Sequence, residues 1–234
     1  MILLAAIQRG SASTLALFLV GIISLAGCAQ EHHGNELGCQ SSRIPCMSGT
    51  AVVMLETEKG SVLVQLDGNN SPLTAGNFAD LVKRGVYNET LFHRVIRTPL
   101  PFVVQGGDPG TANPKIPVSA HGTGNLIDPA TGEARFIPLE FKLKSSGKLV
   151  YGQEITTTSL LNKPLLSHDR GSLAMARSSD PNSASAQFYI ALKPLPELDG
   201  RYAVFGKVIQ GMDVVDRLQQ GDRLIRARLV SSGK

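Results

Sequence analysis

Phe92-His93-Arg94-Val95-Ile96, followed closely by Phe102-Val103-Val104-Gln105-Gly106-Gly107-Asp108, is the stretch on which the fold turns. The first run alternates, so Phe92, Arg94 and Ile96 share one side of a strand while His93 and Val95 share the other. An arginine among apolar neighbours is costly to bury, which places its head group at a rim or cleft. The second run adds an aromatic, a neutral amide and a Gly-Gly-Asp break where the backbone must turn tightly. Taken alone, these residues describe a hairpin with one snorkelling arginine.

Working outward, Val52-Val53-Met54-Leu55 and Ser61-Val62-Leu63-Val64-Gln65-Leu66 flank Glu58-Lys59-Gly60 and read as a β-hairpin. Ser71-Pro72 supplies an N-cap and a proline at the first helical position. Phe78, Leu81 and Val82 form the helix stripe, and Gly85 stops it. Downstream, His168 to Arg177 leads into the small-residue loop Ser178 to Ala186 and then Gln187-Phe188-Tyr189-Ile190. Alternation puts Gln187 and Tyr189 on one face, with Phe188 and Ile190 facing the core. Leu198-Asp199-Gly200-Arg201-Tyr202-Ala203-Val204-Phe205-Gly206 follows, then a helix over Met212 to Gln220 stopped by Gly221, and a last strand Leu224 to Val230.

This constellation resembles the cyclophilin family of peptidyl-prolyl cis-trans isomerases, over essentially everything after Ala51. The Phe-His-Arg run, the Gln-Gly-Gly-Asp break, the loop before Gln187 and the Leu-Asp-Gly-x-x-x-Val-Phe-Gly signature all match in order. The resemblance implies a mainly β fold, a closed eight-stranded antiparallel β-barrel capped by two helices. It places Arg94 and Gln105 on catalytic positions. Phe102, Val103, Ala176, Arg177, Gln187, Tyr189, Leu198 and Tyr202 fall on substrate-binding positions. The implied reaction is rotation about X-Pro bonds of folding proteins, with no cofactor and no metal. Proline-containing peptides and unfolded chains are the implied partners, and a proline-binding scaffold with little catalysis is the alternative. Several positions depart from the best-known members: Val103 replaces methionine, Tyr189 phenylalanine, Arg177 asparagine, Tyr202 histidine and Glu197 a tryptophan.

The rest of the chain bounds this reading. Its 234 residues are 42% hydrophobic and 18% charged, enough for one sizeable core. The net charge of +4 is spread without any Lys/Arg-rich run, which argues against nucleic acid as a partner. Residues 1–27 read as a lipoprotein-type signal peptide: Arg9 is the lone charge, Leu15 to Ala26 is apolar, and Leu25-Ala26-Gly27-Cys28 matches the bacterial lipobox. Acylated Cys28 would anchor an extracytoplasmic, monomeric protein to a membrane surface. A plain secretory signal that happens to hold a cysteine is the alternative.

Residues 28–50 are polar and read as a flexible tether holding Cys39 and Cys46, as a weak structural bridge or free thiols. Residues 51–234 are the isomerase-like domain, with a long loop insertion at about 109–167 that includes the Glu140-Phe141 pair. His121-Gly122-Thr123-Gly124-Asn125 superficially suggests a phosphate cradle, but it neither follows a clear strand nor opens a helix. Ser/His/Asp hydrolysis is also disfavoured. Ser172, His168 and Asp169 sit together on one strand pointing apart, and no Gly-x-Ser-x-Gly elbow is present.

Overall fold

The computed structural model describes residues 38–39, 44–155 and 163–233, with side chains through residue 230. The residues read as a signal peptide, and Cys28, therefore lie outside the described residues. Alternation in the first hairpin produces β1 (Thr50–Thr57) and β2 (Gly60–Asp67), registered with Thr50 opposite Asp67 and Thr57 opposite Gly60. Val53 and Leu55 of β1 and Val62, Val64 and Leu66 of β2 bury one face of this pair.

The helix α1 (Pro72–Lys83) lays Phe78 onto that face, 4.9 Å from the Tyr87 ring, 5.3 Å from Phe188 and 5.1 Å from Phe205. Its N-terminus is held differently from the expectation. Ser71 does not cap the helix with its side chain; its hydroxyl donates to the Val204 carbonyl at 2.7 Å. The orphan donors are met from the insertion instead. The Glu140 carboxylate accepts Leu73 N–H at 3.0 Å, Thr74 N–H at 2.7 Å and the Thr74 hydroxyl at 2.6 Å. A buried carboxylate at the positive end of a helix is favourably placed, yet burial pushes the Glu140 pKa above 4.5, against the pull of these bonds.

The remaining strands are β3 (Thr90–Leu91), β4 (Arg94–Val95), β5 (Val103–Gly106), β6 (Glu140–Lys142), β7 (Leu149–Tyr151), β8 (Ser172–Met175), β9 (Phe188–Ala191), β10 (Val204–Gln210) and β11 (Arg223–Gly233). Nine of the eleven described strands form one antiparallel sheet in the order β3-β11-β1-β2-β10-β8-β9-β5-β4. The expected closed eight-stranded barrel is thus corrected to an open, curled sheet of nine strands. Both of its edges are short pieces of one chain segment. β3 pairs with β11, and after Phe92-His93 the same segment pairs with β5 as β4. Consecutive pieces of one extended run cannot pair with each other, so the two edges meet without a ladder. At this seam Phe92 N–H donates to the Asp222 carbonyl and Phe92 C=O accepts Gly221 N–H.

The second helix, α2 (Met212–Arg217), buries Val214 and Val215 and stops before the expected Gln220. Leu218 turns to an extended conformation, and the Asp222 carboxylate takes Gln219 N–H at 2.8 Å, which makes 218–222 a turn.

The insertion is more than loop. It contains the β6/β7 hairpin, and Ile137, Leu139 and Phe141 are buried. At the N-terminal side, Cys39 and Cys46 form a disulfide. Residues 44–49 run along α1: Met47 N–H donates to the Pro72 carbonyl at 2.9 Å, and any side chain at Gly76 would collide with the Pro45 carbonyl.

Candidate active site

The sheet brings the two motifs together through register. Arg94 on β4 is opposite Gln105 on β5, Gln105 is opposite Tyr189 on β9, and Tyr189 is opposite Ala174 on β8. A polar row results. Arg94 Nη1 donates to Gln105 Oε1 at 3.1 Å, and Gln105 Nε2 donates to Gln187 Oε1 at 3.1 Å. Gln187 Nε2 spends its protons on the carbonyls of Gly122 and Gly124, at 3.0 and 2.9 Å. Each amide is thereby oriented by the next, and the guanidinium stays exposed, with Cζ 5.9 Å from the Phe102 ring centre.

Beside this row lies a second apolar cluster, separate from the main core. Val103, Tyr189, Ala174, Ala191, Leu195 and Val204 are buried in it, and Phe102, Leu198, Tyr202 and Ala176 pack half-buried against them. Strand alternation explains it: Phe188 and Ile190 join the main core while Tyr189 faces the other way. The Tyr202 ring stands edge-on to Tyr189 at 5.9 Å. Arg177 lies over Tyr202, its Cζ 4.8 Å from the ring centre.

Three groups near the site were given no role by the sequence. The Tyr189 hydroxyl hydrogen-bonds His168 Nε2 at 2.9 Å, and His168 Nδ1 hydrogen-bonds Asp199 Oδ1 at 2.7 Å. Burial pushes the Tyr189 phenol pKa well up. The Asp108 carboxylate accepts N–H groups from Gly110 at 2.8 Å, Gly122 at 2.6 Å and Gly124 at 3.2 Å. The Gly-x-Gly run is therefore an anion cradle after all, occupied by the chain's own Asp108, and a Cβ at Gly124 would collide with that carboxylate. Glu154, from the insertion, pairs with Arg177. A buried aspartate ending a Gly-Gly-Asp break ahead of a Gly-x-Gly run is a signal that could have been read; the other two depend on packing alone.

His93 sits beside this cradle with its ring against Gly122, and both ring nitrogens are buried without a hydrogen bond of good geometry. Burial lowers its pKa from 6.5; Asp108, the Leu91 carbonyl and Gln187 oppose that shift, and His121 adds to it. The unfolded chain takes up a proton near 6.5 that the folded state resists, so this contribution to stability is present above pH 6.5 and is lost as pH falls through the depressed value. Denaturant melts of the wild type and His93→Phe should show their stability difference moving against the wild type between about pH 7.5 and about pH 5. A difference independent of pH would show that His93 does not titrate in this way.

The residues of the rejected hydrolase triad are engaged elsewhere. The Ser172 hydroxyl donates to the Ser167 carbonyl and accepts Asp169 N–H, while His168 turns to Tyr189 and Asp199. Among the described residues no group of three or more His, Cys, Asp or Glu side chains is arranged to hold a metal, and no helix is long and apolar enough to cross a membrane.

An exposed, oriented guanidinium beside an apolar cluster on a curled antiparallel sheet defines a mainly β protein with one mixed polar and apolar face. The family model for cyclophilin type peptidyl-prolyl cis-trans isomerases matches residues 52–231, and the chain belongs to that family. It is 34% identical over 81% of its length to a Synechocystis sp. protein named for a thylakoid lumen peptidyl-prolyl cis-trans isomerase, and spans about half of that relative, 49%. It is 35% identical to the peptidyl-prolyl cis-trans isomerase CYP18-2 of Arabidopsis thaliana, covering 71% of this chain and 79% of the plant protein. Among solved structures, a Cryptosporidium parvum cyclophilin type isomerase aligns with a TM-score of 0.58 at 25% identity, over 79% of this chain and 99% of that one. The same parasite enzyme, solved in the presence of the dipeptide Ala-Pro, aligns with a TM-score of 0.57 at 26% identity, covering 77% of this chain and 99% of that one. The chain is a cyclophilin-type peptidyl-prolyl cis-trans isomerase.

Proposed function

We propose that this isomerase acts outside the cytoplasm, as a membrane-tethered monomer that accelerates X-Pro rotation in exported proteins, with Arg94 as the group that lowers the barrier. The observation that carries the catalytic assignment is the hydrogen-bonded row Arg94–Gln105–Gln187, ending on the backbone of the Gly122–Gly124 loop. Rotation about an X-Pro bond faces a barrier of roughly 18–20 kcal/mol because twisting destroys amide resonance. In the twisted state the proline nitrogen regains a localised lone pair and accepts a hydrogen bond. A guanidinium already oriented toward it stabilises that state more than the planar ground state.

Gln105 fixes the guanidinium, and Gln187 fixes Gln105. Phe102, Val103, Tyr189, Leu198 and Tyr202 form the apolar seat for the pyrrolidine ring. Ala176 and Arg177, at the end of β8, border the peptide path. Lowering the barrier by about 7 kcal/mol would correspond to roughly a 10⁵-fold acceleration. The Ala-Pro dipeptide used with the Cryptosporidium parvum relative supports proline peptides as substrates.

Export is supported by the lipobox at Leu25 to Cys28, by the Cys39–Cys46 disulfide, and by the lumenal name of the cyanobacterial relative. Exchange NMR on a short X-Pro peptide tests the chemistry: the mature protein should accelerate cis/trans exchange, and an unchanged rate would sink it. Mass spectrometry of membranes tests the anchor. A mature chain beginning at acylated Cys28 is expected, with Cys28→Ser releasing the protein; a Cys28→Ser variant that stays on the membrane would count against the lipoprotein form.

A further inference from the structure

We propose that Glu154 of the insertion is a specificity-determining positioning residue, which cancels the charge of Arg177 at the rim of the proline pocket and makes the site indifferent to charged residues in its substrates. The inference rests on the reading of this pocket as the isomerase site. Arg177 has five N–H donors, and each is engaged. Nε and Nη2 donate to the Arg201 carbonyl at 3.0 and 2.7 Å, Nη1 donates to the Ser178 and Ser179 carbonyls at 2.8 and 3.1 Å, and the second Nη2 proton goes to Glu154 Oε1. The guanidinium lies over Tyr202, its Cζ 4.8 Å from the ring centre, and the Arg177 side chain is only 4% exposed.

A cation held this far from water needs a counter-charge, and Glu154 supplies it from a segment otherwise foreign to the pocket. That segment is pinned in place: Ile155 N–H donates to the Gly200 carbonyl at 3.0 Å, and the Ile155 side chain packs where a Gly200 Cβ would be. Glu154 Oε2 also lies 3.7 Å from Nε of Arg201, whose side chain is 54% exposed. One carboxylate is thus shared by two cations at the rim, while Arg94 has no ion-pair partner among the described residues. Removing the carboxylate leaves Arg177 and Arg201 uncompensated. Removing Arg177 leaves Glu154 paired with Arg201 alone and makes the rim one unit less positive than in the wild type.

The two changes should therefore bias substrate choice in opposite directions. Using the full mature chain, kcat/KM is measured by exchange NMR on two peptides that differ only by Glu or Lys at the residue two before proline. The wild type should treat them nearly alike. Glu154→Gln should raise the Glu-over-Lys ratio by about three- to tenfold at low salt, Arg177→Gln should lower it below the wild-type value, and both effects should shrink at high ionic strength. Far-UV circular dichroism verifies that each variant is folded, and one folded variant is enough to read the sign. A ratio unchanged in the folded variants, or equal loss of activity on both peptides, would overturn the proposal and reduce Glu154 to a structural brace. A wild type inactive on both peptides would instead refute the site assignment itself.

Discussion

Arg94→Ala is expected to lower kcat/KM for an X-Pro peptide about 10²- to 10³-fold, the scale seen when one donor aimed at a developing charge is removed. Peptide affinity should change only a few-fold, because the pyrrolidine seat is made by Phe102, Val103, Tyr189, Leu198 and Tyr202 and not by the guanidinium. Stability should also stay near wild type, since Arg94 is exposed and its one side-chain hydrogen bond, to Gln105, is a surface contact. Exchange NMR for turnover and peptide titration for binding separate the two quantities. Parallel loss of both would mean that Arg94 merely grips the peptide, and the transition-state role assigned to it would be wrong.

The largest effect on stability is expected at Glu140. Glu140→Ala strips the carboxylate from Leu73 N–H, Thr74 N–H and the Thr74 hydroxyl in a site with no exposed surface at residue 140. Leaving buried donors without acceptors, next to the cavity of the lost side chain, should cost about 3–5 kcal/mol. Urea unfolding would read this as a lower midpoint with little change in slope. The pH dependence has a definite sign. Because burial raises the Glu140 pKa above 4.5, its contribution is fully present below that value and declines as pH rises through the raised one. The gap between wild type and Glu140→Ala should therefore be widest near pH 4.5 and narrow toward neutrality. A gap that widened with pH would show the carboxylate to be held ionised instead.

Glu140 also marks where sequence reading reaches its range. The first hairpin and α1 were legible because their signals are local: period-two alternation, a proline at the first turn and a glycine stop. The helix cap was not, since Ser71-Pro72 looks like a self-sufficient start and its true partner lies in a hairpin far along the chain. The same division runs through the site. Arg94, Gln105 and Gln187 stood out as polar residues on apolar strands, and the structure joins them in one hydrogen-bonded row. Tyr189 was placed on the correct face by alternation, but its partners His168 and Asp199 come from other elements, and nothing in spacing links them. The closed barrel failed for a related reason. Strand order can be inferred from motif order, whereas strand number and edge pairing depend on where a run breaks, and the alternation through Phe92 and His93 gives no sign that the ladder is interrupted there.

The pairing of β1 with β11 carries a consequence of another kind. Val53 in β1, the first of the described strands, is registered against Leu229 in β11, the last of them. β2 can close on β1 early, but the opposite flank of β1 stays open until the final strand has been synthesised. Contacts so distant in sequence make collapse slow and leave it until the end. A chain built in this way stays loose while it is being made. If it is exported as proposed, that delay suits a precursor that must be threaded unfolded through a translocation pore before its enzyme can exist.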